Sequence, residues 1–103
     1  MSLDVLILDD RRSILRSAPI YMNEHWELVQ LAESGGSPLL GRIHDYFSDT
    51  HYSLDELPAL LGEVRAIAAR QDLSANLRAC LTELDSLIVY ARTHGRPVTV
   101  VAD

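Results

Sequence analysis

Residues 5–10 read VLILDD, and residues 98–102 read VTVVA. Both runs are apolar, rich in β-branched types and free of turn residues, so both read as short, mostly buried strands. The first extends over residues 3–9, and Asp9, Asp10, Arg11 and Arg12 then break it with a polar turn. A short strand is unstable alone in water. The economical solution pairs the two chain ends in one small sheet. Residues 13–22, SILRSAPIYM, are ambiguous: Ile14 and Leu15 suit the opening of a short helix, Pro19 argues against its continuing, and residues 20–22 suit an edge strand.

Between the strands the apolar period is helical. Asn23 is a helix cap, and the helix it opens runs to about Ala32 and brings Trp26, Val29 and Leu31 to the core. Ser34-Gly35-Gly36 ends it. Ser37-Pro38 restarts a helix, with Leu39, Leu40, Ile43, Tyr46 and Phe47 recurring at helical spacing. The pattern breaks from Ser48 to Tyr52. Ser53 and Glu56 have capping-box spacing, and the stripe Leu57, Leu60, Leu61, Val64, Ile67 and Ala68 follows to about Arg70. Ser74 caps the last helix, with Leu77, Cys80, Leu81, Leu84, Leu87, Ile88 and Ala91 on one face. Gly95 and Pro97 terminate it. The expected fold is a single α+β domain over residues 1–103, mostly helical, with three to four helices packed on a small sheet formed by the N- and C-terminal strands.

Composition excludes several classes of function. The chain of 103 residues is 48% hydrophobic and 23% charged, as a folded domain is. No apolar run approaches the ~18 residues of a membrane span. The start, MSLDVLILDD, lacks the basic region and cleavage site of a signal peptide. A cytoplasmic protein without membrane partners is expected. Cys80 is the single cysteine, which precludes an internal disulfide and a thiolate metal cluster. All nine basic residues are arginine, so Schiff-base, P-loop and other lysine-dependent mechanisms are excluded. The net charge of −6 argues against nucleic acid and favours a basic partner.

The sequence contains four candidate sites. An apolar strand ending in two acids is what a phosphorelay receiver domain shows at the end of its first strand. A receiver also needs about five strands alternating with helices, a later strand ending in Asp, and a lysine, and this chain has no lysine. Asp9 and Asp10 are therefore expected to be solvated at a strand end. The stretch IHDYFSDTHY, residues 43–52, offers His44, Asp45, Asp49 and His51 to a metal, with 45 and 49 on one face of a helix, but its spacing matches no zinc signature. Nucleophilic catalysis has no G-x-S-x-G elbow and no selective triad spacing. No catalytic residue and no cofactor are expected, and the protein is read as a non-enzyme. The fourth site is a binding surface. Asp45, Asp49, Asp55 and Glu56 are interleaved with Tyr46, Phe47 and Tyr52, and no arginine occurs from 43 to 64. Carboxylates beside aromatic anchors suit a hot spot facing Arg or Lys on a partner.

The segments SPLLGRIHDYFSDTHY and LDELPALLGEVRAI, the leucine-striped helix after them and the closing VTVVAD resemble small immunity proteins of bacterial polymorphic-toxin systems. The resemblance covers residues 37–103 and rests on element order and on the aromatic–acidic junction between two helices. It implies a non-enzymatic inhibitor that binds a cognate toxin domain. The expected function is a protein-binding module that covers a basic site on a toxin through Asp45, Tyr46, Asp49, Tyr52, Asp55 and Glu56. The alternatives are a small metal- or ligand-binding domain using His44, Asp49 and His51, and an oligomeric structural or regulatory subunit such as a homodimer.

Overall fold

The computed structural model describes residues 2–102. Strand β1, Leu3–Leu8, buries Leu3, Val5 and Ile7 and leaves the alternate residues half-buried. This is the period-2 signature of a sheet packed on one face. Its partner at the other end of the chain is β4, Val98–Ala102, which pairs with it antiparallel, Val5 opposite Val100. The two termini thus form the centre of one sheet, as the sequence leads one to expect.

The sheet has four strands in the order β2-β1-β4-β3, all neighbours antiparallel. Strand β2 is Ile14–Ile20: of the edge strand expected at 20–22 only Ile20 belongs to it, Met22 already opens the first helix, and Ile14 and Leu15 begin a strand rather than a short helix. Pro19 is accommodated because β2 is an edge. Ala102 N–H donates to Asp49 Oδ1 at 2.8 Å, not to Leu3, which stands opposite it. Leu3 therefore directs its backbone groups toward β2. In an antiparallel ladder this parity alternates, so Ala18 and Ile20 bond inward while Ser17 and Pro19 face the open edge. The imino acid stands where no ladder N–H is needed. Strand β3, Thr50–Tyr52, falls where the helical pattern breaks, and it pairs with β4, His51 opposite Thr99.

Among the described residues four helices cover the inner face. Helix α1, Met22–Gly35, buries His25, Leu28, Val29 and Ala32, and leaves Trp26 66% exposed. This corrects the expectation that Trp26 joins the core. The spacing 25, 28, 29, 32 forms the inward stripe, and Trp26 lies off it. Helix α1 also starts at Met22, before Asn23, and ends on Gly36, whose φ of 69° is the left-handed conformation glycine tolerates. Helix α2, Pro38–Gly41, is one turn. The longer helix expected from Leu39 to Phe47 does not form. After Gly41 the chain tightens into successive three-residue turns, Arg42 N–H to Leu39 O and Ile43 N–H to Leu40 O, both 3.2 Å. Ile43 and Tyr46 are still buried from this turn structure.

A 3-10 turn at Leu54–Glu56 leads into α3, Leu57–Ala68, and α4 spans Ala75–Thr93. Both bury the apolar stripes read from the sequence: Leu57, Leu60, Leu61, Val64 and Ile67 on α3, and Leu77 through Ala91 on α4. Ser74 Oγ accepts from Leu77 N–H at 3.1 Å, which caps α4. Gly95 at φ 63° closes its C-terminus, and Arg96 N–H returns to Ala91 O at 2.9 Å. The core lies between these helices and the residues Leu3, Val5, Ile7, Ile20, Val98 and Val100 of the sheet. No helix is long and apolar enough to cross a membrane among the described residues.

Candidate functional site

Residues 42–56 connect α2 to α3 by way of β3, and they fold back on themselves. Two clamps hold their entry. The Glu63 carboxylate on α3 accepts from Leu39 N–H at 3.2 Å and Leu40 N–H at 2.9 Å, satisfying two open donors of the first turn of α2. Tyr52 Oη–H donates to Leu39 O. A third tie is the ion pair of Arg42 with Glu56, and Thr50 Oγ1–H donates to Arg42 O at 3.3 Å. The Arg42 guanidinium also lies 5.6 Å from the centre of the Tyr52 ring.

The six residues expected to meet a partner divide into two groups. Tyr46 and Tyr52 are 8% and 2% exposed and belong to the core. Tyr46 packs edge-on against His25, ring centres 5.0 Å apart, and against Phe47 at 5.5 Å. Burial drives the Tyr52 phenol well above its ordinary pKa. These two rings position the segment from beneath and offer no contact area themselves. Asp45, Asp49 and Asp55 are exposed, and Glu56 is half-buried.

Asp45 closes its own turn. Its Oδ1 accepts from Phe47 N–H at 2.9 Å and its Oδ2 from Ser48 Oγ–H at 2.7 Å. The backbone bond from Phe47, then the Ser48 bond, hold its carboxyl below the usual aspartate range. Asp49 ties the segment to the end of β4 through Ala102 N–H. Glu56 bonds Arg42 and accepts from Ser53 N–H at 3.0 Å, so its carboxyl falls to about 2, chiefly through the Arg42 bond. Arg42, just outside the arginine-free run, is thereby neutralised on its own chain.

Of Tyr46, Phe47 and Tyr52, the ring that reaches solvent is Phe47, 65% exposed, with Leu54 at 41% in the 3-10 turn. Phe47 lies within the expected cluster, whose expected contacts are its neighbours Tyr46 and Tyr52. An apolar side chain directly after a buried one, where the helical period fails, is the signal that distinguishes it. The arrangement is a hydrogen-bonded turn that exposes Phe47, in a segment whose Asp45, Asp49 and Asp55 are also exposed.

The three potential metal ligands do not converge. His44 Nδ1 lies 3.1 Å from Gly41 O, His51 Nδ1 lies 3.3 Å from Thr99 Oγ1 on the sheet, and Asp49 faces Ala102 N–H. Among the described residues no group of three or more His, Cys, Asp or Glu is arranged to hold a metal ion. Cys80 is buried, and burial pushes its thiol up to about 12, which keeps it from acting as a nucleophile at neutral pH. His25, buried on α1, bonds through Nε2 to Ile43 O and so pins the turn to the core.

Comparison with family models, with curated proteins and with solved structures finds no match for this chain.

Proposed function

We propose that this protein is a non-enzymatic protein-binding module of immunity type, which covers a basic site on a partner toxin domain with the turn at residues 45–55. The observation that carries this reading is Phe47, which is 65% exposed on a turn fixed by internal hydrogen bonds and flanked by exposed carboxylates. An interface of this kind has an apolar anchor at its centre and charges around it that select the partner. The net charge of −6 accelerates encounter with a basic surface. The turn is pre-organised by Glu63, Tyr52 and Arg42, so little ordering entropy is lost on binding.

The test uses two variants that remove exposed groups without breaking the bonds within the turn, Phe47→Ala and Asp55→Arg. The tagged protein is co-expressed with the product of a neighbouring toxin-like reading frame, and complex formation is read by co-purification. The expected result is a complex with the native chain that Phe47→Ala and Asp55→Arg each weaken, at unchanged melting temperature. Full complex formation by the double variant contradicts the assignment of this surface.

A further inference from the structure

The hairpin end of the sheet carries a local excess of positive charge. The β1–β2 hairpin and the α4–β4 connection, residues 9–16 and 90–97, contain five of the nine arginines and two of the fifteen acidic residues. They form one surface: Arg96 Nη1–H donates to Leu8 O at 3.2 Å and to Asp10 Oδ1 at 3.3 Å. The Arg16 guanidinium sits 4.6 Å over the Tyr90 ring, which stacks on His94 at 4.0 Å. Elsewhere the arginines are occupied. Arg42, Arg65 and Arg70 pair with Glu56, Asp85 and Asp72, and Arg78 donates to the carbonyls of Ala68 and Arg70. At this end Arg11, Arg12 and Arg92 are exposed and have no carboxylate partner among the described residues.

The hairpin turn displays two of them at a local cost. Asp9 Oδ1 accepts from Arg11 N–H and Ser13 N–H, both at 2.8 Å, and Arg12 N–H closes the turn on Asp9 O at 2.9 Å. This geometry puts Arg12 at φ 63°, the one positive φ outside glycine among the described residues. Hairpins that follow a turn with a left-handed residue place glycine there. Arginine at this position gives up that local preference. Beside it Ile14 and Leu15 are 60% and 40% exposed.

We propose that this arginine end is a second docking surface, which receives a short carboxylate-rich segment of a partner protein carrying apolar residues between its acids. Free guanidinia recognise carboxylates through paired N–H donors, and Ile14 and Leu15 supply the apolar contact. A nucleic acid is disfavoured because the long polyanion also meets Asp9, Asp10 and the field of a chain at −6.

The test measures fluorescence anisotropy of a short labelled peptide alternating glutamate and leucine, against the native chain, Arg12→Gly and Arg65→Gln. The expected result is saturable binding that weakens with salt, an affinity lowered about tenfold in Arg12→Gly, and native affinity in Arg65→Gln. Arg12→Gly is expected to melt no lower than the native chain, because glycine suits φ 63°. The proposal is overturned by absent binding, by equal affinity for a lysine–leucine peptide, by tighter binding of duplex DNA at the same salt, or by an Arg12→Gly variant that melts lower or binds as the native chain does.

Discussion

Removing one oxygen atom from the core tests how the candidate surface is held. Tyr52→Phe deletes the hydroxyl that donates to Leu39 O and leaves the ring in place. A buried neutral hydrogen bond contributes about 1 kcal/mol net, and an orphaned partner adds up to about 3 kcal/mol. Leu39 O is not orphaned here, because it also accepts from Arg42 N–H at 3.2 Å. The cost therefore falls at the low end, about 1–1.5 kcal/mol. For a domain of this size that lowers the melting temperature by roughly 5–10 °C. Urea unfolding followed by circular dichroism reads it as a lower midpoint at unchanged slope. A pH series gives a second readout. The folded phenol is raised above its ordinary value of 10.0, so the unfolded chain ionises first and stability falls as pH rises past that value. The Phe variant lacks this part of the alkaline loss. A stability change under about 0.3 kcal/mol, with the alkaline limb unaltered, refutes the claim that Tyr52 clamps α2 to β3 from within the core.

Further expectations follow from other parts of the fold. Leu81→Ala, at a fully buried position of α4, is expected to cost about 2–5 kcal/mol in calorimetry, whereas Trp26→Ala stays within about 0.5 kcal/mol because its ring is exposed. Glu56 is depressed from 4.5 to about 2 by Arg42, so its contribution is present above pH 4.5 and is lost as pH falls toward 2; Glu56→Gln should flatten that part of the acid-unfolding curve. Cys80, raised to about 12 by burial, should react with a thiol reagent only as the chain opens, at a rate that urea increases below the unfolding transition; fast labelling that urea does not accelerate there would contradict its packing.

The α3 and α4 stripes and the two terminal strands are legible in the sequence because burial, period and caps all agree there. Val5 and Val100 pair as expected across nearly the whole chain. The failures occur where those signals conflict. Residues 39–47 have helical spacing, yet Gly41 and the Asp45 side chain favour turns, and the pairing of 50–52 with β4 draws the chain away. A three-residue edge strand has too few positions to show alternation. Trp26 suits a core by its chemistry, but the buried stripe passes through His25, whose ring nitrogen is satisfied by Ile43 O. The acidic character of the candidate surface was readable from composition. The division between exposed Phe47 and buried Tyr46 and Tyr52 was not, because it depends on the tertiary register of the turn.

The central claim, that the turn at 45–55 is the contact surface, is tested most directly by titrating a co-purified toxin partner calorimetrically into the native chain and into the Phe47→Ala/Asp55→Arg double variant. The account predicts saturable binding by the native chain and a loss of at least about 2 kcal/mol in the folded double variant, as for a central anchor. Equal affinities for the two chains would contradict it.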